Sequence, residues 1–557
     1  MIDSTPSSPS ATSSSGPPSG LNLDEAASAR SGFLLISGAK VWFLVSATLL
    51  NLGLPRFLGN TTLFGDFGTV NSLISILNMV LVTGALQAVS KRVSERPDLA
   101  WLVRRKAMRL QLFVGGGLFA GLMVSADLIC ADLLKDASLA PYLRIAAFIT
   151  LSYAFYASFI GVLNGLRAFA IQALFDIAFA TLKVSLIIGL VLAGFGVGGA
   201  FSGFAIAALA VTLGAWWVTH VKTRPLRVQA EEPQPISLLR FMLKVMGFVF
   251  AMNILIQGDV VVLKRAAFDA IETSMRGSNP LVWGESTLGA LSLGQASPRD
   301  LSAAVAGLYR AAKNVSLIPY QGVIALSFVI FPLLSRATFE TDKEATRRYV
   351  RQALRVSWLL VIGLATLIAA GGEGLAVGLF GDDYKLAGDT LTPMVLAMSA
   401  LALLYLIGTV LIAASRPMDA LLLTLGVALL EMGALYIAVA TLSPEGVGAD
   451  SSFIGAMLMR AAWTTAWASL LALALSAFCL RVRLQIPLPL ASILRILFAA
   501  LVALSVASAL DDVGLWAVFV RALIAGVTFL LVLIFSREIT REDWKVVSST
   551  LSRRTVS

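Results

Sequence analysis

Long uninterrupted apolar runs decide most of what this chain can become. IAAFITLSYAFYASFIGVL (145–163) and MVLAMSALALLYLIGTVLIAA (394–414) carry no charge. About 20 residues of helix, rising about 1.5 Å each, cross the ~30 Å hydrocarbon core of a bilayer. Fourteen such segments follow one another, at about 33–55, 64–88, 110–133, 141–165, 172–194, 198–218, 238–263, 301–333, 353–379, 388–413, 418–442, 452–480, 490–510 and 514–536. Helices satisfy every backbone polar group inside lipid within one segment. The predicted fold is therefore an all-α polytopic membrane protein with 14 transmembrane helices. Composition agrees: 57% of residues are hydrophobic and 14% charged, against roughly 45–50% and 25% in soluble domains.

The formal charge of +10 would suit nucleic acid, but the basic residues lie in short loops, where they act as orientation signals. The second loop holds Lys91, Arg92, Arg96, Arg104, Arg105, Lys106 and Arg109; the sixth holds Lys222, Arg224 and Arg227; the eighth holds Arg336, Lys343, Arg347, Arg348 and Arg351. Odd loops are nearly bare apart from a long seventh, about residues 264–300. Both termini are predicted to be cytoplasmic, with a Ser/Pro-rich disordered tail at 1–30, a cytoplasmic linker at 221–237 and a cytoplasmic tail at 539–557. The first 30 residues have neither a basic n-region nor an apolar h-region, so the first span is expected to serve as the insertion signal. Cys130 and Cys479 fall near opposite membrane faces, too far apart for a bridge. The single histidine, His220, ends a helix, and no His/Cys/carboxylate group has metal-ligand spacing, so neither metal nor cofactor is expected.

An internal duplication organises the spans. FGVGGAFSG (195–203) after span five matches EGVGADSSF (445–453) after span eleven, and Arg167 in loop four corresponds to Arg416 in loop ten. An even number of helices per unit inserts both copies in one orientation, giving two pseudo-symmetric six-helix lobes around a central cavity: an N-lobe at 31–220 and a C-lobe at 238–485. Helices 13 and 14 (486–538) are an appendage. GFGVGG also fits a lone GxGxxG pattern, but it is a turn between membrane helices with no βαβ unit, and the chain has no GxxxxGK[ST] loop.

PRFLGNTTLFGDFGTVNSLISILNMV after span one, GLYRAAKNVSLIP in span eight, the FPLLS that closes it (331–335) and LFGDDY (379–384) resemble the polysaccharide-transport branch of the multidrug/oligosaccharidyl-lipid/polysaccharide (MOP) exporter superfamily. The resemblance covers about residues 31–536. It implies a non-enzymatic flippase working by alternating access. Its substrate would be an undecaprenyl-diphosphate-linked oligosaccharide, moved across a bacterial inner membrane for surface polysaccharides such as lipopolysaccharide or exopolysaccharide. Membrane lipids and a polysaccharide polymerase or co-polymerase are the expected partners, and a monomer the expected state.

Charges inside the spans mark the candidate site. At 100° per residue Arg310, Lys313, Asn314 and Gln321 share one face of span eight, which Pro319 is expected to kink. Asn71, Ser75 and Asn78 form a matching stripe on span two. Arg310, Lys313 and Lys40 have no partner within their own helices and are assigned to the diphosphate, with Lys183 either joining them or pairing with Asp176. Glu431 and Arg460, mid-span in helices joined by a short loop, read as a structural ion pair. Asp259, Glu431 and Asp176 are the candidates for ion coupling, as an alternative to drive by membrane potential alone.

Two rival functions remain. A MATE-like drug or cation antiporter needs acidic groups for its substrate, whereas the unpaired groups here are basic. A membrane-embedded polysaccharide polymerase or ligase needs catalytic groups in a large loop. The only such loop carries Asp269, Glu272, Arg276, Glu285 and Arg299 without acid/base or nucleophile spacing, and reads as a docking or merely tolerated insertion.

Overall fold

The computed structural model describes residues 23–226, 246–276, 287–288, 291–292, 296–324, 343–414, 416–443, 451–510 and 515–538. Among these residues fourteen helices reach 18 residues or more. The N-lobe holds α1 (Leu23–Leu58), α2 (Thr61–Glu95), α3 (Ala100–Leu128), α4 (Ala140–Gly165), α5 (Phe169–Leu190) and α6 (Gly196–Thr223). The C-lobe holds α7 (Asp259–Arg276), α8 (Pro298–Ser316), α9 (Lys343–Phe380), α10 (Leu391–Ala413), α11 (Pro417–Ala440) and α12 (Ser451–Leu484), and α13 (Leu490–Ser508) and α14 (Leu515–Phe535) follow. Among the described residues twelve stretches are long and apolar enough to cross a membrane; one, Phe169–Leu226, contains both α5 and α6, folded back at Gly194 (φ +90°) and Gly196 (φ +50°), where only glycine is unstrained.

Of the fourteen, α8 alone has no place among those stretches. Its residues Leu301–Ser316 are nevertheless all buried, enclosed by α2, α7 and α10. A helix with a polar stripe is stable in a membrane when protein instead of lipid surrounds it. Its ladder breaks at Leu317 before resuming, since Pro319 has no N–H to donate.

The duplication is visible in the packing. α1 lies on α5, α2 on α4, α4 on α6 and α5 on α6; in the same way α7 lies on α11, α8 on α10, α10 on α12 and α11 on α12. α13 and α14 pack on each other and on α9, where Arg355 (2.7 Å) and Arg495 (3.3 Å) share the buried Glu538 carboxylate.

The repeat-mates α2 and α8 cross backbone to backbone. A Cβ on Gly65 would stand 1.8 Å from the Ala303 carbonyl oxygen, and one on Gly307 2.1 Å from that of Thr61. Gly307→Val should destabilise this crossing by about 1–3 kcal/mol, the usual cost of overpacking. The check is the melting temperature in detergent, and an unchanged value would refute so close an approach.

The seventh loop differs from expectation. Residues 264–276 continue α7 as helix, because Ala266, Ala267, Ala270 and Ile271 bury one face of it. A two-stranded antiparallel ladder pairs Thr287 with Ser292 and Leu288 with Leu291.

Candidate functional site

The site is assembled where α8 meets the N-lobe. Arg310 is 5% exposed, and its Nη1 donates to the Gly68 carbonyl (2.8 Å) and to Ser72 Oγ (2.7 Å) on α2. Gly68 makes room for it, since a Cβ there would lie 2.5 Å from Arg310 Cδ. The guanidinium lies 6.0 Å from the Phe67 ring centroid. No carboxylate among the described residues is within ion-pair distance, and Nε has no hydrogen-bond partner. From the other lobe, Lys183 stands half-buried with its ammonium 4.1 Å over the Phe204 ring, also without a carboxylate among the described residues. The two cations are close enough to act on each other electrostatically. Phe67 packs on Phe201 at 5.0 Å, and each cation lies near an aromatic ring, Arg310 near Phe67 and Lys183 over Phe204.

Lys313 and Lys40 are corrected. Both have carboxylate partners on other helices, which no single-helix reading could detect. Lys313 Nζ grips both oxygens of Asp259, at 2.5 and 2.6 Å. Lys40 pairs with Asp176 at 2.8 Å, leaving Lys183 without the partner suggested for it. The Glu431–Arg460 pair does not form either. Arg460 points outward, donating only weakly to the Ala438 carbonyl (3.4 Å), while Glu431 is fully buried on the inner side of α11 with both oxygens unpartnered.

The polar stripes face the junction of the lobes. Ser72, between Asn71 and Ser75, donates to Gln257 Oε1 across the lobes at 3.1 Å. Asn71 and Ser75 are half-buried, and Asn78 is buried with Oδ1 unpartnered. Asn314 donates to the Asn51 carbonyl (3.2 Å), and Gln321 accepts from Thr48 (3.1 Å).

Further ties close the end of the bundle that bears the odd loops. Lys264, fully buried on α7, reaches two N-lobe carboxylates, Asp66 at 2.9 Å and Asp136 at 2.7 Å, and Arg299 reaches Asp136 at 2.7 Å. Arg265 bonds the Asp132 carbonyl, and Arg56 the Gly378 carbonyl at 2.5 Å. By sequence Lys264 falls in the expected seventh loop, and Asp66 and Asp136 carry no signal of their own. Only the meeting of distant helices makes them a latch.

A family profile described as "Polysaccharide biosynthesis protein" matches residues 47–338. Among solved structures, the lipid II flippase MurJ in an inward closed conformation is 15% identical, with 91% of this chain and 99% of that chain covered and a TM-score of 0.63. A MOP superfamily transporter from Pyrococcus furiosus, described as having a binding pocket of reversed polarity, is 16% identical with 82% and 96% covered and a TM-score of 0.58. An outward-facing multidrug resistance MATE family transporter is 15% identical with 82% and 96% covered and a TM-score of 0.54. At these identities the likeness is one of fold. No curated protein matches the chain.

Proposed function

Because the chain belongs to the polysaccharide biosynthesis protein family, in the polysaccharide-transport branch of the MOP superfamily, we propose that it flips undecaprenyl-diphosphate-linked oligosaccharide from the cytoplasmic to the periplasmic leaflet of a bacterial inner membrane. Both termini then lie in the cytoplasm, and the latched odd-loop end is periplasmic. The observation that carries this reading is the pair Arg310 and Lys183, one from each lobe and neither matched by a described carboxylate. A diphosphate supplies the missing charge, with arginine chelating phosphate oxygens in fork geometry and lysine acting as a point charge. The drug-exporter reading has less support, because Asp176 and Asp259 are already occupied by lysines, leaving Glu431 as the one unpaired acid of the three.

With the cytoplasm negative, outward passage of a diphosphate is favoured by roughly 2.3 kcal/mol per charge per 100 mV. Deleting the gene in its own cell should abolish surface polysaccharide and leave lipid-linked repeat units on the cytoplasmic leaflet. Normal surface polysaccharide in the deletion strain would overturn the reading. Vesicles carrying the purified chain should move the lipid-linked substrate faster as an imposed voltage grows, and transport indifferent to voltage would remove the electrical drive from it.

A further inference from the structure

Two arginines are buried among the described residues, Arg310 of the site above and Arg104 near the start of α3. Arg104 is 5% exposed, and its Nη2 lies 3.1 Å from Nδ1 of His220, in the last turn of α6. A guanidinium can only donate, so Nδ1 accepts, and the neutral ring carries its hydrogen on Nε2 as a further donor. His220 in turn stacks on Trp216, with 5.8 Å between ring centroids, which fixes the imidazole that Arg104 leans on. Nη1 and Nε of Arg104 have no acceptor, and no carboxylate among the described residues pairs with it. A buried cation left without a counter-ion is costly. What Arg104 lacks is an anion with several acceptor oxygens, and a phosphate is one.

The surroundings indicate the source of that phosphate. Arg104 and His220 lie at the even-loop end of the bundle, where α3 begins and α6 ends. Farther into the spans, Leu112 and Phe113 of α3 and Leu213 and Trp217 of α6 are exposed apolar side chains. Next to the site in the chain, Arg105, 5.5 Å from the Trp101 ring centroid, and Lys222 are exposed cations. Arg104 therefore sits where an apolar surface gives way to a basic one with tryptophans at the boundary, which is the level of lipid head groups. A free phosphate ion would leave the apolar strip bare, whereas a phospholipid covers it with its acyl chains. We propose that the ends of α3 and α6 form a binding site for an anionic phospholipid, whose phosphate accepts hydrogen bonds from Arg104 and His220. The lipid neutralises Arg104 and ties the two helices together. The inference does not depend on what the chain transports.

The test uses the full chain in nanodiscs that mix dioleoylphosphatidylglycerol with zwitterionic dioleoylphosphatidylcholine. Native mass spectrometry should find the phosphatidylglycerol retained over the phosphatidylcholine by at least about tenfold, the factor expected of hydrogen bonds to a charged group. Arg104→Gln should bring that preference to within about twofold of none. Arg481→Gln, which removes one exposed charge at the same end of the other lobe, should leave it in place. Melting temperatures give an independent reading. In phosphatidylcholine alone Arg104→Gln should melt no lower than the parent, because it removes an unmatched buried charge, and added phosphatidylglycerol should raise the parent but not the variant. Should Arg104→Gln not fold, Arg104→Lys decides: it keeps the charge without the planar array of donors, and should lose about threefold or more of the preference. Equal retention of the two lipids by the parent would overturn the proposal, as would a preference that survives these Arg104 substitutions or falls equally in Arg481→Gln. Inorganic phosphate that raises the melting temperature as far as phosphatidylglycerol does would also overturn it, by showing that the site takes the free ion.

Discussion

Arg310→Ala is expected to reduce export roughly 30-fold or more, since removing one partner of a buried charge-assisted contact costs about 2–5 kcal/mol. The guanidinium occupies a prepared place. Gly68 clears its path, the Gly68 carbonyl and Ser72 orient one nitrogen, and Phe67 lies beside it. Arg310→Lys should recover only part of the loss, because an ammonium keeps the charge but cannot bond α2 and chelate phosphate in one plane. Lys183→Ala, which removes a half-buried charge held over a ring, should be milder alone and additive with Arg310→Ala only if the two cations act on separate groups. The readout is surface polysaccharide in a strain lacking the native gene, normalised to chain in the membrane and to its melting temperature. Full export by the double variant would refute the assignment.

Lys264→Met should open the odd-loop end. The substitution leaves Asp66 and Asp136 facing each other without their shared ammonium, and breaking a buried ion pair from one side costs about 3–5 kcal/mol. In a chain carrying Cys130→Ala and Cys479→Ala, labelling of Thr69→Cys, fully buried on α2 one turn past Gly65, by a membrane-impermeant maleimide in vesicles should rise by at least about tenfold, because 1.4 kcal/mol is already a factor of ten. Adding Asp66→Leu and Asp136→Leu to Lys264→Met should restore closure, since apolar groups of similar size can replace a buried ionic cluster. Acid should act in the same direction as Lys264→Met. Burial opposes the charge on Asp136, but Lys264, Ser138 and Arg299 outweigh it and hold the carboxyl below its usual range. A lowered carboxyl contributes its stability above the ordinary carboxylate range and loses it as pH falls through the lowered value, so the share of the latch that Asp136 carries is lost only in acid below that range. If Lys264→Met labels no faster than the parent chain, closure of this end does not depend on the latch.

Alternating apolar runs and basic loops were enough to read the helices and their duplication, because insertion depends on local hydropathy and each span reports on itself. The polar stripe on α8 was legible for the same reason: Arg310, Lys313 and Asn314 share a face by helical geometry alone. What those side chains touch was not legible. Lys313 meets Asp259 54 positions away, Lys40 meets Asp176, and Lys264 meets Asp66 198 positions away. The failed Glu431–Arg460 pair makes the same point in reverse, since proximity along the chain put the two on neighbouring helices and the rotation of those helices turned Arg460 outward.

By itself the sequence determined fourteen helices, their duplication and the presence of charge within them. Only the tertiary structure decided which cations are spent on internal carboxylates and which two, Arg310 and Lys183, are left without one among the described residues. Helical period is a property of consecutive residues, whereas an ion pair between helices depends on how each is rotated and how deep it sits. Those quantities are fixed by packing, as where Gly65 and Gly307 let two backbones touch.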